Sequence, residues 1–148
     1  MKNQIYIASP LFSEAERDFN LKICNILERN NIRVFLPQRE CRGLYDVDIF
    51  NKCLDGLDNS KFILAILDGA DSDSGTCWEC GYAFAKNKLV ISMRTDFRDS
   101  GECSGLNFML FYGTQLIKNK GDFYTENFEK EFLRLIKDYD ETSRHSNN

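Results

Sequence analysis

The residues best suited to chemistry crowd one stretch, residues 68–82 (DGADSDSGTCWECGY). Asp68, Asp71 and Asp73 precede the start of a predicted helix, and Glu79 falls within its first turn or two. A helix N-terminus favours a carboxylate through its dipole and its free N–H groups, so a Glu79 near that end is expected to be ionised. An ionised, partly desolvated carboxylate can attack an anomeric carbon or stabilise an oxocarbenium-like transition state. Gly75 and Gly81 would let a substrate or a neighbouring backbone approach closely. A plainer reading fits the same residues: Asp and Ser cap helices, and an early Glu answers the helix dipole.

Other chemistries find less support. The stretch contains neither G-x-x-x-x-G-K nor G-x-G-x-x-G, the usual phosphate cradles. His145 is the single histidine and sits in a polar C-terminal stretch, so no serine–histidine–acid set can form. Cys77 and Cys80 make a C-x-x-C, but a second pair is missing, so two thiols on the first turns of a helix, one packed inward, is preferred over a redox or zinc site. Asp68, Asp71 and Asp73 could hold magnesium weakly, though nothing requires it. No metal or cofactor is expected.

The elements that must position these residues follow from composition and periodicity. The chain has 148 residues, 43% of them hydrophobic, enough for a core in one domain without staples. Its net charge of −4 argues against a nucleic-acid polymer or an anionic membrane as partner. No run approaches the roughly 18 apolar residues that span a bilayer, and the N-terminus carries no signal-peptide pattern. A cytoplasmic location is expected, with the six cysteines as thiols.

Strands are predicted at 5–8, 32–36, 61–67, 89–93 and 114–117, the third apolar almost throughout. Between them, Phe19, Ile23, Ile26 and Leu27 mark one face of a helix from Glu14, with Ser13 and Glu16 forming a capping box. Residues 46–57 read as a helix with Ile49, Cys53 and Leu57 on one face, and 76–86 as another. Residues 106–111 make a short helical turn, and Phe128, Phe132, Leu135, Ile136 and Tyr139 mark a last amphipathic helix. The domain is expected to span 1–141, followed by a polar tail, 142–148.

Strands alternating with helices imply an α/β fold: a doubly wound, flavodoxin- or Rossmann-like, mostly parallel sheet of about five strands with helices on both faces. Ligands bind such sheets at the carboxyl ends of the strands. That selects residues 9–13, 37–42, 68–75 and 95–98.

Five pieces taken in order, IYIASPLFSEAER (5–17), VFLPQ (34–38), LDGADSDSGTCWECGYA (67–83), TDFR (95–98) and LNFM (106–109), resemble the nucleoside 2-deoxyribosyltransferase family. The resemblance implies a 2-deoxyribosyl group passed between nucleobases through an ester on a glutamate, here Glu79. It implies that Asp73 handles the sugar hydroxyls and that Tyr6 orients the nucleophile. Phe12 would lie against the base, Gln38 at its edge, and Asp68 among the substrate contacts. Asn107 and Met109 would reach a neighbouring subunit's site, with Asn107 on the 5′-hydroxyl, which implies a homo-oligomer. Deoxynucleosides and free nucleobases are the implied partners.

Each residue also has an ordinary reading. Tyr6 and Phe12 could be core aromatics, Gln38 a loop residue, Asn107 a helix cap, Trp78 a pocket wall or a packed ring, and Asp96 with Arg98 a surface ion pair. The chain departs from the family pattern where Cys53 and Lys61 stand at positions that are commonly aspartate, the first near the departing base. Asp55 is turned away from the Cys53 face by helical geometry. Two other functions share the fold: hydrolysis of the N-glycosidic bond of (deoxy)nucleoside 5′-monophosphates, and nucleoside or nucleotide binding without catalysis. Asp73 near a 5′-phosphate would oppose the hydrolase by like-charge repulsion.

Overall fold

Successive side chains of a strand point to opposite faces, and this alternation sorts the core into two layers. Ile5 and Ile7 join one layer while Tyr6 and Ala8 join the other; Phe62, Leu64 and Ile66 oppose Ile63, Ala65 and Leu67 in the same way. In the computed structural model these residues belong to β1 (Gln4–Ala8) and β3 (Phe62–Ile66), with Leu67 just beyond the end of β3. With β2 (Arg33–Phe35), β4 (Leu89–Met93) and β5 (Gln115–Ile117) they form one parallel sheet in the order β2-β1-β3-β4-β5. The structure describes residues 4–96, 102–103, 105–117 and 125–145, with side chains except at 125–127 and 140–145.

Helices cover both faces. α1 (Glu14–Arg29) contributes Ile23, Ile26 and Leu27 to the first layer, and α6 (Thr125–His145) contributes Phe128 and Phe132. α3 (Asp46–Asn59), α4 (Ser74–Ala85) and α5 (Phe108–Gly113) supply Leu57, Cys80, Ala83 and Leu110 to the second. The expected doubly wound sheet of five strands is the observed one.

Local sequence explains several boundaries. Ser13 and Glu16 form the expected capping box on α1. That helix ends in a Schellman arrangement: Asn31 takes φ 60°, its N–H bonds the Glu28 carbonyl and the Ile32 N–H bonds the Leu27 carbonyl. Asn87 ends α4 in the same way, at φ 55°, with Asn87 and Lys88 bonding the Phe84 and Ala83 carbonyls.

Four details differ from expectation. Residues 37–42, read as a loop, contain a short helix α2 (Pro37–Glu40), because Pro37 occupies a first-turn position where its missing N–H costs nothing. α4 starts at Ser74 rather than Thr76, since Asp73 caps it. α5 starts at Phe108 rather than Leu106, since Asn107 caps it. α6 runs to His145, into the segment read as a tail; residues 146–148 lie outside the described residues.

The strand order places the site. β1 and β3 are neighbours, but the chain leaves β1 toward β2 on one side and leaves β3 toward β4 on the other. The loops beyond their carboxyl ends therefore diverge, and a crevice opens at that switch point.

Candidate active site

A cavity of about 530 Å³ occupies this crevice, within the size range of small-molecule sites. Glu79, the sixth residue of α4, reaches it from one side. The Tyr6 hydroxyl, from the middle of β1, donates to Glu79 Oε1 at 2.5 Å. Tyr6 is fully buried and its ring stacks on Phe35, centroids 5.2 Å apart, so the hydroxyl is fixed in place.

The charge state of Glu79 differs from the expectation drawn from the helix dipole. Burial pushes its pKa up to about 7; the Tyr6 hydrogen bond pulls it down, and the charge of Asp73 adds to the rise. Two turns into the helix, the dipole has faded and desolvation prevails. Burial, the neighbouring Glu79 charge and the hydrogen bond to it, then Cys53, hold the Tyr6 hydroxyl protonated far above the usual tyrosine range. Tyr6 is thus a donor to the carboxylate at all ordinary pH.

Asp73 lines the same cavity and caps α4: its Oδ2 accepts from the Thr76 N–H at 2.8 Å and from the Thr76 hydroxyl at 3.0 Å. Asp73 therefore both caps the helix and lines the cavity. Phe12 projects into the cavity mouth with 76% of its surface exposed. Its backbone is anchored, because Glu16 Oε2 accepts from the Phe12 and Ser13 N–H groups and Arg17 donates to the Leu11 and Phe12 carbonyls. Gln38, on α2, also lines the cavity. Its Nε2 donates to the Arg17 carbonyl at 2.9 Å and its Oε1 accepts from Asn20 at 3.2 Å. An amide has two donors and two acceptor positions, so one of each remains for a ligand.

Other expected residues lie elsewhere. Asp68, expected among the substrate contacts, accepts from the Thr95 N–H, the Thr95 hydroxyl and the Asp96 N–H, joining the ends of β3 and β4; it does not line this cavity. Asn107 accepts from the Leu110 N–H at 3.0 Å as the cap of α5, and Met109 beside it is 84% exposed. Both line a separate groove between α4 and α5, not the Glu79 cavity of their own chain. Trp78 packs, stacked on Tyr82 at 5.3 Å and edge-on to Phe50. Asp96 pairs with Arg94 at 4.0 Å, while Arg98 lies outside the described residues. Lys61 precedes β3 and so sits at the opposite edge of the sheet from the crevice. Asp55 accepts from Asn59 and does not line the cavity. Cys80 is buried and Cys77 half-buried, and burial pushes both thiols up, Cys80 to about 12. Among the described residues, no three His, Cys, Asp or Glu side chains converge as a metal site would require.

Cys41, Arg42, Ile49 and Cys53 complete the walls. Ile49 and Cys53 belong to the apolar stripe that the sequence marks on α3. That stripe begins in the core at Leu57, where exposure is 1%, and ends in the cavity at Ile49. Cys41 and Arg42 fall in the segment 37–42 that the strand-end rule selects, though neither stands out by residue type; the turn after α2 brings them in.

The arrangement is a doubly wound α/β protein with a small-molecule cavity at its switch point and a hydrogen-bonded, desolvated glutamate inside. A model of the nucleoside 2-deoxyribosyltransferase family matches residues 5–131, and the chain belongs to that family. No curated protein matches it by sequence. Among solved structures, the 2-deoxyribosyltransferase of Bacillus psychrosaccharolyticus is similar at 22% identity and TM-score 0.67, over 78% of this chain and 86% of that one. The 2-desoxiribosyltransferase of Leishmania mexicana is similar at 24% and 0.63, over 91% and 97%. The CMP N-glycosidase of Clostridium botulinum is similar at 19% and 0.55, over 92% and 98%. At these identities the likeness to the solved structures concerns the fold.

Proposed function

We propose that this chain transfers 2-deoxyribose between a purine or pyrimidine deoxynucleoside and a free nucleobase, a reaction of nucleoside salvage. The observation that carries this reading is the Tyr6–Glu79 hydrogen bond within the crevice cavity. Ionised Glu79 attacks the anomeric carbon as the bond from that carbon to the base nitrogen breaks, and the departing base takes a proton from water. The product is a deoxyribosyl ester on Glu79. A second base then attacks the same carbon and gives its ring N–H proton back to the solvent, the ester bond breaks, and the carboxylate is restored. Two displacements retain configuration.

The other residues take supporting parts. Tyr6 fixes which carboxylate oxygen is free to attack. Asp73 receives the sugar hydroxyls. Phe12 offers an aromatic face to the base, and Gln38 its unused donor and acceptor. Asp68 acts on substrate indirectly, by holding the loop that leads to Asp73. Asn107 and Met109 serve the cavity of a neighbouring copy in a homo-oligomer, a reading supported by their exposed position away from their own Glu79.

A second reading, hydrolysis of the N-glycosidic bond of (deoxy)nucleoside 5′-monophosphates, has one observation in its favour: Arg17 and Arg42 both line the cavity. Asp73 beside Glu79 weighs against a phosphate there. One chromatographic assay separates the readings. Protein incubated with a deoxynucleoside and a different free base should yield a new deoxynucleoside. Release of free base without exchange, faster from a 5′-monophosphate donor, would favour hydrolysis. Binding without turnover of either donor would leave a non-catalytic module.

A further inference from the structure

Cys41 and Cys53 face each other in the wall of the Glu79 cavity, with their sulfurs 3.6 Å apart. Cys41 is the C-cap of the short α2 and Cys53 lies midway along α3. Both thiols are half-buried and open to the cavity, whereas Cys24 and Cys80 are buried. A disulfide needs an S–S distance of about 2.05 Å, so the sulfurs must close by about 1.5 Å. Cys41 can supply that movement. It stands outside the sheet, in a turn held by its own N–H to the Pro37 carbonyl and by the Leu44 N–H to its carbonyl.

We propose that Cys41 and Cys53 form a redox modification site, oxidised by a low-molecular-weight disulfide such as glutathione disulfide to an intramolecular disulfide across the cavity wall. The Cys53 thiolate attacks one sulfur of the small disulfide, forming a mixed disulfide and expelling one thiolate. Cys41 then gives up its proton and attacks the Cys53 sulfur, and the second small thiolate leaves. The protein loses two protons and two electrons, which the small disulfide takes up as it becomes two thiols. Burial and its neighbour Cys53 push the Cys41 thiol up to about 12, which keeps it protonated until Cys53 has reacted.

The link bears on the site. Gln38 shares α2 with the segment that must move, and Cys53 interacts with the Tyr6 hydroxyl that holds Glu79. Closing the link draws α2 toward α3 and narrows the cavity from the Gln38 side. This consequence for turnover rests on the proposed function; the oxidation itself does not.

The full chain is incubated with glutathione disulfide and its intact mass is measured. The expected result is loss of two hydrogens with no retained glutathione, peptide mapping that joins Cys41 to Cys53, and reversal by dithiothreitol. C41S should instead keep a glutathione adduct at Cys53. No mass change, a stable adduct on the unaltered chain, or a link between other cysteines would overturn the site. The same samples are assayed for base exchange, which should fall in the linked form. Linked chain that exchanges bases at the reduced rate would overturn the closure. Reduced chain that exchanges none would refute the proposed function while the mass result still judges the site.

Discussion

The hydroxyl of Tyr6 and the carboxylate of Glu79 meet at 2.5 Å although 73 positions separate them in the chain. One comes from the interior of a strand, fully buried and stacked on Phe35; the other comes from the second turn of a helix. The bond orients the carboxylate in a desolvated place and partly offsets the burial that still holds its pKa at about 7. A nucleophile held this way is oriented before substrate arrives, which lowers the entropic part of the barrier.

Glu79→Ala and Glu79→Gln should each lower base exchange by about 10³-fold or more, the scale seen when a covalent nucleophile is removed. Neither should abolish deoxynucleoside binding, measured by calorimetry. Near-normal turnover in either variant would remove Glu79 from its proposed part.

The rate should rise with pH through an acid limb near 7, because Glu79 must lose its proton to attack and its pKa lies at about 7 in the free protein. Tyr6→Phe removes a hydrogen bond that stabilises the charged form, so that limb should move to higher pH. The variant would therefore lose more activity at pH 6 than at pH 8. An unshifted kcat/KM profile would show that Tyr6 does not tune the carboxylate.

Glu79 should also cost stability above neutrality. Its pKa rises from an ordinary 4.5 to about 7 on folding, so between those values the folded chain holds a proton that the unfolded chain has released. Stability therefore falls as pH climbs from 4.5 to 7 and stays lower above it. Glu79→Gln should raise stability by on the order of 1–2 kcal/mol at pH 8, after allowance for the edge that faces the cavity, and by little at pH 4. Urea denaturation at both pH values checks this; equal effects would contradict it.

Asn107 should show two separable contributions. Asn107→Ala removes the cap of α5 and should cost about 1 kcal/mol in stability, whereas Asn107→Asp keeps a capping oxygen. If the side-chain amide also reaches a 5′-hydroxyl in a neighbouring copy, both variants should lose exchange activity on a natural deoxynucleoside. A 5′-deoxy analogue should lose less. Equal losses on the two substrates would leave only the capping contribution.

Gly56→Ala should destabilise the fold by about 1–3 kcal/mol although alanine is the better helix former. A Cβ at Gly56 would sit 2.6 Å from the Phe35 ring, and that ring is backed by Tyr6. A thermal melt that shows no loss would mean that Phe35 can turn aside without disturbing Tyr6.

The sequence by itself determined the strands, the main helices and the cap of α1, because these depend on local spacing and on side chains within a few residues of one another. The capping box of Ser13 and Glu16 and the apolar stripe of α3 are of this kind. The order of motifs along the chain also sufficed to place it in its family. Tertiary structure decided the rest. Whether Glu79 is charged depends on burial against a tyrosine from a distant strand, and that desolvation outweighs the helix dipole on which a local reading rests. Asp68 braces Thr95, Asn107 and Met109 stand away from their own cavity, and Cys41 meets Cys53, because strand order and loop paths bring together residues with no local relation. Such contacts are set by how whole elements pack, and no window of sequence contains both partners.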